Sequence, residues 1–142
     1  MDDTITALLD VCRRDHAAWI NGDGSGYALP ADGTILGAIG GYAFGGDETA
    51  QRQAQVASNW VRGSGDIEYL NGSADDGIAW LTFVEHARVL LAGEDQERRW
   101  DLRVTEVFRR TERGGWERIH RHADPLVDRR PVGAAADLLE AG

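Results

Sequence analysis

The chain contains no lysine; all 15 of its basic residues are arginine, set against 24 aspartates and glutamates for a net charge of −9. That balance excludes sequence-independent nucleic-acid binding, which rests on neutralising phosphates, and it disfavours docking on anionic membranes. The missing lysine points to a GC-rich coding sequence before it points to a function, since either residue solvates a surface. A single cysteine, Cys12, leaves no partner for an internal disulfide and fits a reducing compartment. No apolar run approaches the ~20 residues that cross a bilayer. The opening Met1-Asp2-Asp3 has no basic region of the kind a signal peptide carries. A cytoplasmic protein is expected. What is present is ordinary for one globular domain: 142 residues, 42% hydrophobic and 27% charged.

Periodicity divides the chain into helices followed by strands. Ile5, Leu8, Leu9, Cys12, His16, Trp19 and Ile20 lie on one helical face, with Thr4 as a candidate cap. The Gly-rich stretch from Asn21 to Gly26 ends that helix, and Tyr27 to Pro30 suits a short helical turn. Thr34 to Phe44 reads as a strand or extended segment. Asp47 is a candidate cap for a second helix, with Ala50, Gln53, Ala54, Ala57, Trp60 and Val61 along one side and Gly63-Ser64-Gly65 as its stop. Strands are expected over 66–71, 78–91, 99–111 and 115–126, separated by turns at 72–77, 92–97 and 112–115. The expectation is one α+β domain over residues 1–130, with 131–142 a loose tail or short helix.

The most specific stretch is Asp101-Leu-Arg-Val-Thr-Glu-Val-Phe-Arg-Arg110, a turn, then Trp116-Glu-Arg-Ile-His-Arg-His-Ala-Asp-Pro125. It resembles the last hairpin of the nuclear transport factor 2-like superfamily, in its SnoaL-like branch: Arg-x-Thr, a Gly-containing turn, then Trp-x-x-x-His-x-His. The resemblance implies a cone-shaped α+β fold, with N-terminal helices packed on a strongly curved, mostly antiparallel sheet that encloses a pocket. It further implies a hydrophobic small molecule as partner. It also implies a homodimer through the outer sheet face, where His86, Arg103, His120 and His122 would lie. No cofactor is implied. In the ketosteroid isomerases of that superfamily an aspartic acid on this hairpin donates to the oxyanion, and Glu106 matches its position. Gly37 stands where their general base should be, and Asp15 or His16 where their oxyanion tyrosine should be, so their proton-shuttling reaction is not expected here.

Strand alternation places Leu102, Val104, Glu106 and Phe108 on one face, which the resemblance makes concave. Ile119, Arg121 and Ala123 are expected to share it, along with Phe83, Glu85, Ala87 and Val89. Glu106 would then be either a buried acid kept neutral by an apolar cavity or half of an ion pair with Arg121. His16, inside an apolar stripe, is the candidate proton carrier. Glu85, Arg121, Trp19, Tyr42, Trp60, Tyr69, Phe83 and Phe108 are the candidate ligand contacts. His120, His122 and Asp124 alternate on one strand face, a workable metal set, but parity sends them to the outer face and no metal role is assigned. Two functions stay open: acid–base chemistry of an isomerase, cyclase or lyase type on a hydrophobic carbonyl compound, with Glu106 and His16 as catalytic groups, or a non-catalytic ligand-binding or oligomerisation domain.

Overall fold

The computed structural model describes residues 2–141. Helix α1 (Asp3–Trp19) buries Ile5, Leu8, Leu9, Cys12, His16 and Trp19, the stripe read from the sequence, and also Asp15. Its cap is Asp2 rather than Thr4: the Asp2 carboxylate accepts from the Thr4 and Ile5 amides, which supplies partners for otherwise orphaned donors. A single 3-10 turn, Ser25–Tyr27, follows, slightly earlier than the sequence implied. The segment 34–44 is a small hairpin of β1 (Thr34–Leu36) and β2 (Tyr42–Phe44).

Helix α2 (Gly46–Ala57) starts from Gly45 at φ 78°, not from a capping Asp47, and buries Thr49, Gln53 and Ala57. Ala54, expected on that face, is exposed.

Four long strands and one short one make the rest: β3 (Trp60–Ala74), β4 (Ile78–Leu91), β5 (Arg98–Arg99), β6 (Leu102–Arg110) and β7 (Trp116–Pro125). The sheet order is β2-β1-β7-β6-β4-β3, with β5 on β4 beyond the end of β6. Every pairing is antiparallel except β1 on β7. The expected strand from Arg99 is broken at Trp100-Asp101. There the Trp100 amide donates to the Ala87 carbonyl, and Asp101 Oδ1 accepts from the Ala87 amide.

Two glycine-rich stretches read as turns are strand instead. Gly63-Ser64-Gly65 lies within β3, and Gly72 continues it, so the turn to β4 is only Asp75–Gly77. Close approach explains the glycines: a Cβ on Gly63 would sit 2.5 Å from the Ile20 carbonyl oxygen, and one on Gly65 would collide with that of His86.

The helices cover the concave face of the curled sheet, and the core has two apolar halves. Ile5, Leu8, Leu9 and Cys12 pack on Leu81, Phe83, Val104 and Phe108 in one half. Trp19, Ile20, Tyr27, Ala57, Trp60, Ala87 and Val89 form the other. At the far end α3 (Val132–Glu140) buries no residue; the short helix was one of the two forms expected for the tail.

Gly65→Ala is expected to lower stability by about 2 kcal/mol or more, because the collision is with backbone. Gly133→Ala, in open space on α3, is expected to leave the urea midpoint unchanged. Equal midpoints for wild type and Gly65→Ala would remove the close-approach account of the β3 glycines.

Candidate functional site

Between the two apolar halves lies a layer of charge. On β4 the inward residues run Phe83, Glu85, Ala87; on α1 they run Cys12, Asp15 and His16, then Trp19. Register places Leu81, Glu106, Arg121 and Ile35 side by side across β4, β6, β7 and β1. Arg121 donates through Nη1 to Glu106 Oε2 (2.8 Å) and Glu85 Oε2 (3.0 Å), and through Nη2 to Glu85 Oε1 (2.9 Å). Glu106 Oε1 accepts from Arg118 Nε (2.9 Å) and from the Cys12 thiol (3.2 Å).

Arg118 also donates to the Gly26 carbonyl, at 2.9 Å. Its Nη2 lies 3.1 Å from Asp15 Oδ2, outside hydrogen-bonding geometry. Tyr27 stacks against both guanidiniums, its ring centroid 4.8 Å from each central carbon. The side chains in this layer, from Cys12 and Asp15 to Tyr27, Glu85, Glu106, Arg118 and Arg121, are all buried.

Arg118 was not expected here, and its arrival is a matter of register. Val107 pairs with His120 but Phe108 pairs with Arg118, so one extra residue, Ile119, is inserted in β7. The bulge reverses parity: Arg118 joins Arg121 and Ala123 on the concave side, where Ile119 had been expected. Tyr27 and Asp15 were also missed, since neither a turn tyrosine nor an aspartate at the edge of a stripe announces burial.

Of the two states expected for Glu106, the ion pair with Arg121 is the one formed, and the neutral acid is not. Burial alone would raise its pKa, but the Arg118 and Arg121 guanidiniums outweigh that and hold it below the ordinary glutamate value. Glu106 is an ionised acceptor with both oxygens engaged, and has no proton to donate to an oxyanion. Burial pushes the Cys12 thiol far up, so it is inert. His16 is 2% exposed, with Nε2 4.0 Å from Glu85 Oε1 and no hydrogen-bond partner among the described residues. Burial lowers its pKa against the pull of Glu85, so it is neutral at pH 7.

The charged layer fills the middle of the cone, and a cavity lies beyond it at the mouth. This cavity, partly open to solvent, offers about 40 Å³ to the centres of water molecules. Trp19, Gln53, Val56, Trp100, Leu102 and Arg121 line it, with the β1–β2 loop at Gly37–Gly40 and Tyr42 at the rim. The indole N–H groups of Trp19 and Trp100 are buried and have no acceptor among the described residues, whereas that of Trp60 donates to the Trp19 carbonyl at 2.9 Å.

Of the expected ligand contacts, Trp19, Tyr42 and Arg121 line this cavity. Glu85 is held in the ion pairs. Phe83 and Phe108 lie in the core, Tyr69 packs against it, and Trp60 sits between Trp19 and Trp100. Gly37, at the isomerase's base position, borders the cavity but brings no side chain.

Three of the outer-face groups find partners within the chain. His120 Nδ1 lies 2.6 Å from Thr34 Oγ1, Arg103 forks onto Asp124, and His86 meets Glu68 at 2.9 Å. Among the described residues no three metal-ligating side chains cluster, and no helix is long and apolar enough to cross a membrane.

No protein-family model and no curated protein sequence matches the chain. Solved structures do. A proposed dehydratase of the NTF2-like family from Streptomyces avermitilis is 20% identical with a TM-score of 0.69, over 87% of this chain and 94% of that one. A ketosteroid isomerase-like protein from Erwinia carotovora is 13% identical with a TM-score of 0.72, over 89% and 100%. A protein from Xanthomonas campestris described as a calcium/calmodulin-dependent kinase II association domain is 18% identical with a TM-score of 0.68, over 87% and 88%. The likeness establishes the nuclear transport factor 2-like cone fold expected from the final hairpin. Three different descriptions on one fold leave function to the site.

Two outcomes follow from the charged layer. Arg121→Met strands Glu85 and leaves Glu106 with Arg118 alone, which is expected to cost about 3–5 kcal/mol in urea unfolding. A loss under 1 kcal/mol would show the layer to be solvated. Stability is also expected to fall with acid in two stages. Below pH 6.5 the unfolded chain protonates at His16 while the folded one, its pKa lowered, does not. Below about 4.5 the same holds for Glu106. His16→Gln should therefore flatten the first stage by up to about 1.4 kcal/mol per pH unit. An unchanged profile would contradict the burial of a neutral His16.

Proposed function

We propose that the chain is a small-ligand-binding domain whose cavity takes an apolar molecule through a hydrogen-bond-accepting oxygen. The observation that carries this reading is a cavity whose wall includes Trp19 and Trp100, the two tryptophans whose buried indole N–H groups have no acceptor among the described residues. A buried unpaired donor costs about 1–3 kcal/mol, and an incoming carbonyl or ether oxygen would relieve it. Gln53, 6% exposed on α2, adds an amide to the same wall. Trp19, Tyr42 and Arg121 keep the ligand contacts assigned from the sequence, while Glu85 and Glu106 hold Arg121 in place from behind.

An enzymatic reading is favoured by one group. His16 is neutral, buried and unpartnered at Nε2, the state of a base awaiting a proton. His16 does not line the cavity, so under that reading the wall would have to open before it could take a proton from the carbon next to the ligand's carbonyl; Glu106, engaged by Arg118, Arg121 and Cys12, is excluded as the acid. A homodimer through the outer face belongs to the same proposal: Trp80 and Val107 are cross-strand neighbours beside His120, on the face that carries His86, Arg103 and His122. Sedimentation equilibrium that gives a monomer at 100 µM, a concentration on the order of that at which weak dimers form, would remove it.

Cyclohexanone separates the readings. Its titration is expected to change tryptophan emission, and Trp100→Phe to weaken binding about fivefold, as loss of one neutral hydrogen bond requires. Identical affinity in the variant would sink the donor argument. In D2O, exchange of the ketone's α-protons above the buffer rate, abolished in His16→Gln, would establish the enzymatic reading; equal rates with and without protein would dismiss it.

A further inference from the structure

We infer that the natural ligand is an organic anion, a compact apolar body ending in a carboxylate that lies against Arg52 at the cavity mouth. The inference rests on the binding role proposed for the cavity and specifies the ligand's charge. The protein carries 24 acidic residues, yet none lines the cavity, whereas two arginines do. Arg121, at the inner end, is neutralised by Glu85 and Glu106. Arg52, exposed on α2, has no ion-pair or hydrogen-bond partner among the described residues. It stands one helical turn before Val56, also in the wall, so the two are carried on the same side of the helix.

Every nitrogen-bearing side chain in the wall offers donors: Trp19, Trp100, Gln53, Arg52 and Arg121. The complementary ligand is rich in acceptors. A planar guanidinium matches a carboxylate through two parallel hydrogen bonds, stronger than those to a neutral amide. With a net charge of −9 the rest of the surface repels anions, so a lining without carboxylates and with a free guanidinium marks where one would be admitted. The adjoining surface groove shares Ala38, Trp100 and Leu102 with the cavity wall but carries Asp101 and Asp128, so the acid-free lining ends at the cavity.

Cyclohexanecarboxylate and cyclohexanecarboxamide, nearly equal in shape and unequal in charge, test this by tryptophan fluorescence at pH 7.5 and low salt. The carboxylate is expected to bind about tenfold more tightly, and Arg52→Gln to remove that preference while leaving the amide within about twofold. Circular dichroism confirms that the variant is folded. Equal affinities for acid and amide in the wild type would overturn the anionic ligand and leave the cavity reading standing. A preference that survives Arg52→Gln would overturn the role of Arg52. Failure of both compounds and of cyclohexanone to bind would overturn the cavity reading itself.

Discussion

Two arginines and three carboxylates from separated parts of the chain meet where water does not reach, and the fold is arranged around them. Arg121 alone contacts residues 36 and 15 positions earlier, and Arg118 reaches 92 positions back to the turn at Gly26. Each of these groups would be costly to bury by itself, so α1, the 3-10 turn, β4, β6 and β7 must be in place together. Such a layer contributes little net stability against an apolar replacement of the same shape. Its effect lies in registration, because a one-residue slip of β7 would send both guanidiniums to the wrong place. Even Gly26 answers to it, since a Cβ there would collide with the Asp15 carboxylate.

The same layer decides where a ligand fits. The middle of the fold is occupied by ion pairs, and a cavity lies beyond them under the β1–β2 loop beside α2. The cavity touches the charged layer at Arg121 and is otherwise walled by indoles, aliphatic side chains, Tyr42, the Gln53 amide and Arg52. A site of this make-up is suited to recognising an oxygen on an apolar body. The groups that would conduct acid–base chemistry stand behind the wall, with His16 held between Trp19 and Glu85 in the helix and sheet that face each other.

Much of this was legible in the residues. The apolar stripe of α1, the inward parity of β4 and β6, and the convergence of Glu85, Glu106 and Arg121 all follow from periods of 3.6 and 2, which backbone geometry imposes locally. His16 was conspicuous because a histidine interrupts an apolar stripe. Arg118 was hidden because a bulge is one residue of local irregularity with no periodic signature, and it exchanges the faces of everything on one side of it. The β3 glycines misled for a related reason: glycine marks a turn and a close backbone approach equally well. Trp100 lay in what read as continuous strand, and only the break between β5 and β6 turns it toward Trp60 and the cavity.

The sequence by itself determined the class of fold, the faces of the long strands and the acidic, lysine-free surface, since each depends on neighbours in the chain. Tertiary structure decided the protonation of Glu106, which needed the second guanidinium brought by the β7 bulge, and the position and size of the cavity. It also decided which of five tryptophans keep a free N–H. These are properties of what stands opposite a residue across space, and a carboxyl group flanked by arginines behaves differently from one in an empty apolar cone.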